Sequence, residues 1–291
     1  MGERILVILA AGKGERLRPL TETRPKPLMT VAGEELLCRH IRMLRGYSRV
    51  IVVGSYMLDK LEAASKRCGG PVEVIDQGGE LGTGHALLKA LEYGGPGEYT
   101  VVYGDVFMSP SLYRALESSK QPSILASTTD KPWEYGVLLV EDGILRGVVE
   151  KPRPGEEPGN LVFIGGLKAD YDLVKGYLER LKPSPRGELE LTDALTMMAG
   201  DWDVRVVVGD GYWIDIGRPW DLLRANRLAL EHELSPAVEG EVAGTSVIGE
   251  RVYIGPGARI GHYTVIEGPA YIGPGARIGP HAHIREYTVV G

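Results

Sequence analysis

Cysteine, asparagine and glutamine are scarce in this chain of 291 residues, which contains two of each. Cys38 and Cys68 are too few for a disulfide framework, and their scarcity predicts a protein of a reducing, cytoplasmic compartment. Depletion of these thermolabile residues is typical of proteins from hyperthermophiles. The amides that remain, Gln77 and Asn160 among them, are therefore candidates for a functional role.

An excess of basic residues and long apolar runs are also missing. The formal net charge of −6 argues against a nucleic-acid partner, because nucleic-acid binders usually carry a basic patch. No apolar run approaches the roughly 20 residues of a membrane span, so no membrane association is expected. The N-terminal run ILVILAA leads into GKGERLRP and not into a small-residue cleavage site, which predicts a strand and not a secretion signal.

Residues 1–233 alternate between strand-like and helix-like segments. Such alternation predicts an α/β domain with a mostly parallel central sheet, whose ligands bind at the carboxyl ends of the strands. The predicted strands are 4–10, 50–54, 72–75, 99–103, 122–127, 136–140, 144–149, 161–167 and 204–209. The predicted helices are 34–45, 56–67, 83–93, 110–119, 170–181, 190–199 and 219–233.

Residues 242–291 follow a short linker, 234–241, and have a period of six. The segment IGPGAR occurs twice, and aliphatic residues recur at every sixth position, which predicts the hexapeptide repeats of a β-helix. The recurring residues are Val242, Ile248, Ile254, Ile260, Ile266, Ile272, Ile278, Ile284 and Val290. The repeat stops at Gly291 without a visible cap, so two explanations stay open: a longer chain, or an oligomer that covers the last coil.

The stretch Leu9–Leu28 combines glycines, arginines, lysines and prolines directly after the first predicted strand. Glycine lets backbone N–H groups approach an anion closely, and the neighbouring cations supply charge, so this stretch predicts a loop for a polyphosphate. It is not a dinucleotide fingerprint, because Leu17 stands where the third glycine belongs. It is not a P-loop either, because no Gly-Lys-Ser/Thr tripeptide follows.

The complete stretch matches the pattern G-x-G-x-R-x-x-P-x-T-x-x-x-P-K-P-L, and the chain thereby resembles the sugar-1-phosphate nucleotidylyltransferases. The matching residues are Gly12, Gly14, Arg16, Pro19, Thr21, Pro25, Lys26, Pro27 and Leu28. The resemblance implies a Rossmann-like nucleotidyltransferase domain over 1–233 and a left-handed β-helix over 242–291. It also implies a homo-oligomer.

The activity that the resemblance implies joins a nucleoside triphosphate to a sugar-1-phosphate and releases pyrophosphate. Such a reaction needs cations and a metal more than a protein nucleophile. By motif position, Arg16 would bind the triphosphate and stabilise the leaving pyrophosphate, while Lys26 would hold phosphate. The neighbouring nucleotide-binding positions would be Ala10, Ala11, Gly12 and Gly14.

Two aspartates are the candidate ligands of Mg²⁺, the implied cofactor. Asp105 follows the apolar strand Tyr99–Tyr103 and one glycine, which places a carboxylate at the carboxyl end of a strand. Asp215 lies in the segment GYWIDIGRPWDL, which resembles the W-x-D-x-G-x-P segment of the family. Some uridylyltransferases of the group have Asn at this second position.

Recognition of the nucleotide base is expected in residues 75–91. By resemblance, Gln77 would pair with a pyrimidine edge, and Gly82 would bring the backbone close to the base. Thr83 would either bind nucleotide or cap the following helix. The run GTGHA resembles the N-acetylglucosamine-1-phosphate uridylyltransferases, which favours UTP or dTTP over GTP.

Recognition of the sugar is implied for five positions: Tyr135, Gly136, Glu150, Lys151 and Asn160. The substrate would be glucose-1-phosphate or N-acetylglucosamine-1-phosphate. The segment LVFIGG after the asparagine departs from the family pattern and leaves the sugar open. Glu190, Thr192 and Asp193 either line the sugar side or form an ordinary helix start.

Two alternative functions stay open. The first is a non-catalytic regulatory or assembly subunit, because the fold alone does not prove activity. The second adds an acetyltransferase in the β-helix of a longer chain, with His262, His281 or His283 as the base.

Overall fold

The computed structural model of the protein describes residues 2–291, which divide into two compact units. The first unit comprises the chain up to Leu28 together with Leu36–Gly217, and the second comprises Met29–Glu35 and Arg218–Gly291. Within residues 2–291, no helix combines the length and the apolar composition that a bilayer crossing requires.

All seven predicted helices and all nine predicted strands are present, with ends within three residues of the prediction. The helices are α1 (Leu36–Met43), α2 (Leu58–Cys68), α3 (Thr83–Gly94), α4 (Pro110–Ser118), α5 (Tyr171–Leu178), α6 (Leu191–Asp201) and α7 (Pro219–His232). The strands between the N-terminus and Gly217, of which β2 and β3 belong to the second unit, are β1 (Arg4–Ala10), β2 (Thr30–Val31), β3 (Glu34–Glu35), β4 (Arg49–Gly54), β5 (Val72–Asp76), β6 (Glu98–Tyr103), β7 (Val106–Met108), β8 (Ser123–Thr128), β9 (Gly136–Glu141), β10 (Ile144–Glu150), β11 (Leu161–Asp170), β12 (Arg205–Val208) and β13 (Trp213–Asp215).

A nine-stranded sheet in the order β5-β4-β1-β6-β11-β8-β12-β10-β9 forms the centre of the first unit. The strands β5, β4, β1 and β6 are mutually parallel. Following the pairings outward, only β11 and β10 run opposite to the other seven strands. The predicted α/β fold with a mostly parallel central sheet is thus confirmed.

The central strand β1 supplies both faces of the sheet with core residues. Ile5, Val7 and Leu9 belong to one buried cluster, which includes residues of α3, α5 and α6. Leu6 and Ile8 point to the opposite cluster, which includes residues of α1, α2 and α4. Since successive side chains of a strand point to opposite faces, an uninterrupted apolar strand is buried between two helical layers.

A separate two-stranded ribbon of the first unit was not predicted from the sequence. Its strands, β7 and β13, are three residues long and pair antiparallel, with Trp213 opposite Met108 and Asp215 opposite Val106. Strands this short show no measurable hydrophobic period, which is why the sequence pattern did not reveal them.

Cys38 of α1 and Cys68 of α2 form a disulfide, with an S–S distance of 2.01 Å and a Cα–Cα distance of 4.8 Å. The expectation of no disulfide was wrong. The two cysteines are 30 positions apart in the sequence, which does not reveal that α1 and α2 bring them together in the fold. Disulfides do occur in intracellular proteins of hyperthermophiles, so the compartment does not follow from the cysteine count.

The second unit contains the hexapeptide repeats, which form three parallel sheets. Residues 18 positions apart are partners, as in the pairs Ile254–Ile272 and Ile266–Ile284. The predicted inward aliphatic residues form one apolar cluster, which confirms the β-helix. Its strands are β14 (Ala237–Val238), β15 (Glu241–Val242), β16 (Val247–Ile248), β17 (Val252–Ile254), β18 (Arg259–Ile260), β19 (Val265–Ile266), β20 (Ala270–Ile272), β21 (Arg277–Ile278), β22 (His283–Ile284) and β23 (Val289–Val290).

Candidate active site

The predicted polyphosphate loop leaves the carboxyl end of β1 and continues through three short 3-10 turns. Gly14 adopts a left-handed conformation with φ 70°. A Cβ at this position would lie 2.7 Å from Cγ of Lys26, so only glycine fits here. The Thr21 hydroxyl donates to the Gly14 carbonyl at 2.9 Å, which closes the loop on itself.

Residues of the segment between β4 and α2 hold this loop from one side. The Ser55 hydroxyl donates to the carbonyl of Ala11 at 2.5 Å, and the Tyr56 hydroxyl donates to the carbonyl of Thr21 at 3.2 Å. Lys60 donates to the carbonyl of Thr23. The loop is therefore anchored through its backbone carbonyls, while its cationic side chains are left for other contacts.

Lys26, Asp105 and Asp215, which we call the aspartate cluster, come together at the edge of this loop. The Lys26 ammonium lies 2.7 Å from Oδ2 of Asp105, and its side chain is only 14% exposed. Asp215 is placed beside Asp105 by the ribbon, since the N–H of Ile216 donates to the carbonyl of Asp105 at 2.9 Å. Arg16, in an exposed turn, acts on the same lysine through its charge.

The charge of Lys26 is secured by the two aspartates. Burial lowers the pKa of Lys26, but attraction to Asp105 and Asp215 outweighs it, so the pKa lies above the ordinary value of 10.5. Repulsion from Arg16 lowers the pKa by less. The ammonium consequently stays charged at neutral pH, next to two carboxylates that it only partly neutralises.

The residues predicted to recognise the base follow β5. Gln77 is buried, and its side-chain amide donates to the carbonyl of Gly82 at 2.9 Å. Gly82 packs against the backbone of Leu189, where a Cβ would lie 2.5 Å from the carbonyl oxygen. Gly82 also occupies the cap position of α3, so Thr83 does not cap this helix. The Thr83 hydroxyl instead accepts a hydrogen bond from the N–H of Leu191 at 3.1 Å.

One acidic residue that the sequence did not single out joins the base loop to the polyphosphate loop. Oε1 of Glu80 accepts the backbone N–H of Lys13 at 2.7 Å, and Oε2 lies 3.5 Å from the Lys13 ammonium. The sequence predicts that backbone N–H groups of this loop bind an anion. In this structure, one of these N–H groups donates to a carboxylate of the protein.

Several carboxylates on the predicted sugar side surround Arg186. The guanidinium lies 3.0 Å from Glu150 and 2.7 Å from Glu190, and we call these three residues the arginine cluster. Glu150 also accepts the Thr192 hydroxyl at 2.9 Å and lies 3.4 Å from the Lys151 ammonium. The structure brings Glu150 and Lys151 together with Glu190 and Thr192, for which the sequence left two readings open. Arg186 is the member that the sequence did not reveal.

Burial controls the ionisation of the acids on this side. It raises the pKa of Glu190 above its ordinary value, and the charge of Arg186 counteracts part of that rise. Burial also raises the pKa of Asp193, with Glu150 contributing in the same direction. Arg186 therefore opposes the effect of burial on the pKa of both Glu190 and Asp193.

The other predicted sugar residues lie in less constrained positions. The Tyr135 ring contacts Trp213 edge to face, with 5.0 Å between centroids, and a Cβ on Gly136 would lie 3.1 Å from the Glu150 carboxylate. Asn160 is exposed, and its carbonyl accepts the N–H of Thr129 at 3.1 Å. Among residues 2–291, no hydrogen bond joins Asn160 to the arginine cluster.

Tyr103 connects the two clusters through the middle of the site. Burial raises its pKa, a hydrogen bond with Thr83 lowers it, and the charges of Glu150, Glu190 and Asp105 raise it further. Gly165, at φ 85°, makes room for the ring, because a Cβ there would lie 2.5 Å from it. A buried, neutral phenol thus lies within electrostatic reach of carboxylates from both clusters.

Comparisons with known proteins identify the family of this chain. The sequence model described as nucleotidyl transferase matches residues 5–232, and that of the bacterial transferase hexapeptide, with six repeats, matches residues 245–286. The chain belongs to the nucleotidyl transferase family. The resemblance inferred from the polyphosphate loop is thereby confirmed.

Some relatives of this chain are named for a single activity, and others are named as bifunctional proteins. The chain is 38% identical to a bifunctional protein GlmU of Methanococcus maripaludis, over 87% of this chain and 61% of that protein. It is 36% identical to a bifunctional sugar-1-phosphate nucleotidylyltransferase/acetyltransferase of Sulfurisphaera tokodaii, over 97% and 70% respectively. A glucose-1-phosphate thymidylyltransferase of Streptomyces antibioticus is 33% identical, over 87% and 74%. The chain thus spans about 60 to 75% of the length of these relatives.

A solved structure has the same fold. The structure of UDP-glucose pyrophosphorylase complexed with UDP-glucose superposes with a TM-score of 0.68 at 22% identity, over 78% of this chain and 97% of that one. At this identity the likeness establishes the fold alone.

Proposed function

We propose that the chain transfers a nucleotidyl group from UTP or dTTP to glucose-1-phosphate or N-acetylglucosamine-1-phosphate and that residues 1–233 carry this activity. A phosphate oxygen of the sugar-1-phosphate attacks the α-phosphorus of the nucleotide. The bond between the α-phosphorus and the bridging oxygen breaks, and pyrophosphate leaves. The observation that carries the proposal is the aspartate cluster, in which Lys26 and two carboxylates meet beside a glycine-rich loop.

The cations of the loop would act on the triphosphate. Lys26 remains charged because of the neighbouring carboxylates, and it binds phosphate as a point charge. Arg16 lies exposed beside it and would stabilise charge on the departing pyrophosphate. No protein nucleophile is needed, since positioning and electrostatic stabilisation account for phosphoryl-type transfer.

Asp105 and Asp215 would hold Mg²⁺, because their carboxylates are the hard oxygen ligands that this ion takes together with substrate phosphates. Two observations support an Mg²⁺ ion at this position. The two aspartates lie close together in the ribbon, and their two negative charges exceed the single positive charge of Lys26. When bound, the ion would neutralise charge on the phosphate oxygens.

The base and the sugar would be recognised on opposite sides of Tyr103. The hydrogen bond to the Gly82 carbonyl holds the side chain of Gln77 in place. The hydrogen-bonding atoms of the amide that this bond does not use would pair with a pyrimidine. Glu150 and Lys151 would bind sugar hydroxyls and the sugar's phosphate, with Arg186 as an additional cation. Asn160 and the backbone at Tyr135 and Gly136 would complete the sugar side.

Pyrophosphate release tests the proposal directly. The protein is assayed with Mg²⁺ at elevated temperature, with UTP, dTTP, CTP, ATP or GTP against glucose-1-, N-acetylglucosamine-1- or mannose-1-phosphate. We expect release with a pyrimidine nucleotide and with one or both of the first two sugar phosphates. No release from folded protein that still binds UTP would identify a non-catalytic subunit and overturn the proposal.

A further inference from the structure

We infer that Arg39, a buried cation of α1, is a positioning residue that holds the ribbon carrying both aspartates of the aspartate cluster. The inference rests on the proposed function, since it assigns Arg39 a role in metal-dependent turnover. Arg39 is 4% exposed, and the polyphosphate motif does not include it.

The position of the ribbon is not set by the central sheet. β7 and β13 pair only with each other and lie outside the nine-stranded ladder. Hydrogen bonds to β1 extend as far as Gly104, whose N–H donates to the carbonyl of Leu9 at 2.8 Å, but they do not include β7, which begins two residues later. Contacts outside the sheet, among them the core packing of Val106 and Met108, therefore contribute to where Asp105 and Asp215 lie.

Arg39 makes two different contacts with β7. Its Nη2 donates to the carbonyl of Met108 at 2.7 Å, and its Cζ lies 4.4 Å from the centre of the Phe107 ring. The Phe107 ring stacks on Tyr212, the residue before β13, with 5.9 Å between centroids. One planar guanidinium thus holds a backbone carbonyl and an aromatic face at once, a combination that arginine provides and lysine does not.

A movement of β7 would displace both carboxylates of the aspartate cluster. Asp215 lies opposite Val106 in the ribbon, and the N–H of Ile216 donates to the carbonyl of Asp105 at 2.9 Å. Since the two strands share these hydrogen bonds, displacing β7 moves both aspartates together relative to Lys26 and the polyphosphate loop. Groups behind metal ligands typically alter metal affinity or activity by 10- to 100-fold when they are removed.

The helix that carries Arg39 is itself firmly held. Cys38, the preceding residue, is bonded to Cys68 of α2. His40, the following residue, shares a 2.8 Å hydrogen bond with the Tyr113 hydroxyl of α4. Burial of a guanidinium is costly, and well-packed apolar side chains of similar volume often stabilise a fold better. The burial of Arg39 on an anchored helix is accordingly better explained by the strand that it positions than by a contribution to folding stability.

The test compares Arg39→Met and Arg39→Lys with the matched control Arg42→Gln, which changes an exposed arginine of the same helix. For each protein, the Mg²⁺ concentration for half-maximal turnover and the KM of both substrates at saturating Mg²⁺ are measured. Backbone hydrogen exchange is followed in residues 105–109 and 213–217, without metal or substrate.

For Arg39→Met we expect a rise in the half-saturating Mg²⁺ concentration of about 10-fold, with substrate KM values within about 2-fold of wild type. Exchange should accelerate in both ribbon segments and stay unchanged in residues 4–10. Arg39→Lys should lie between Arg39→Met and wild type, because it keeps one donor. Arg42→Gln should match wild type.

A merely structural role would lower the amount of active enzyme without changing its Mg²⁺ dependence. An Arg39→Met protein with reduced turnover but wild-type half-saturating Mg²⁺ and wild-type exchange in 213–217 would overturn the inference. If Arg39→Met does not fold, wild-type Mg²⁺ dependence in Arg39→Lys overturns it instead. If wild-type protein releases no pyrophosphate, the proposed function fails, and unchanged exchange in 213–217 of the variants would still reject the positioning role.

Discussion

The aspartate cluster and the arginine cluster both set a cation beside two carboxylates, but they differ in burial and in origin. Lys26 is 14% exposed and belongs to a contiguous sequence motif, whereas the Arg186 side chain is 41% exposed and comes from a loop before α6. In the first cluster the carboxylates raise the pKa of the cation. In the second, burial raises the pKa of an acid, Glu190, and the cation counteracts part of that rise. This difference fits the roles that we propose, charge neutralisation in the reaction for the aspartate cluster and substrate binding for the arginine cluster.

The largest effect should come from the aspartate cluster. Asp105→Asn keeps the size of the side chain but removes one charge beside Lys26 and one proposed metal ligand. We expect turnover to fall about 1,000-fold, or about 4 kcal/mol in the activation free energy, with little change in folding. Initial rates over a range of Mg²⁺ concentrations measure the loss, and circular dichroism checks the fold. Turnover close to wild type would show that the two clusters do not differ in the proposed way.

The next largest effect concerns thermal stability. It distinguishes the two clusters by the presence or absence of a covalent cross-link. The disulfide closes a loop of about 30 residues between α1 and α2, beside the aspartate cluster, and no such bond supports the arginine cluster in residues 2–291. In the chain-entropy model its loss costs about 3.5 kcal/mol. We expect Cys38→Ser to unfold at a lower temperature than wild type by calorimetry.

Reductant provides the control for the disulfide. Wild-type protein should unfold in a reductant at the lower temperature of Cys38→Ser, while the variant itself should not respond. Equal unfolding temperatures for oxidised and reduced wild-type protein would contradict this prediction.

A smaller effect is expected for Arg186→Gln in the arginine cluster. Loss of the guanidinium should raise the KM for the sugar phosphate about 10-fold and change kcat little, if this cluster serves binding. Arg180→Gln, on a nearby exposed position, is the matched control. A fall in kcat at unchanged KM would remove the distinction between the clusters.

The same variant has a predictable pH dependence. The pKa of Glu190 is already above its ordinary value of 4.5, and it rises further when Arg186 is lost. Because the folded protein then binds the proton more tightly than the unfolded chain, stability falls as the pH rises through this range. Relative to wild type, Arg186→Gln should therefore lose about 1 kcal/mol at pH 7 and much less below pH 4.5. Urea unfolding at both pH values tests the sign.

The smallest effect belongs to Glu80, which lies outside both clusters. Both side chains of the Glu80–Lys13 pair are more than one third exposed, so water screens their interaction. Glu80→Gln should change stability by about 0.5 kcal/mol or less. Because the carboxylate occupies a backbone N–H of the polyphosphate loop, we expect a fall in the KM for UTP, of about 3-fold or less. A rise in KM would show that Glu80 supports the loop.

The two clusters also differ in how far they could be predicted from the sequence. The loop of Gly14 and Lys26 is contiguous, so its motif identified the family, while the alternation of strand-like and helix-like segments predicted the α/β fold. Asp105 could be placed because it directly follows a long apolar strand. Contributions that depend on tertiary packing were not visible. Arg186 meets Glu150 across 36 residues, and the disulfide requires two helices to pack side by side.

The strand order has a consequence for the ligand as well. Gln77 follows β5, the polyphosphate loop follows β1 and Asp105 follows β6, in a parallel block with the order β5-β4-β1-β6. Neighbouring strands lie about 4.8 Å apart, so the proposed base-recognising end and the proposed metal-binding end are separated by three such intervals, roughly 14 Å. The spacing of the strands would thus set the length of a ligand that can reach Gln77 and Asp105 together.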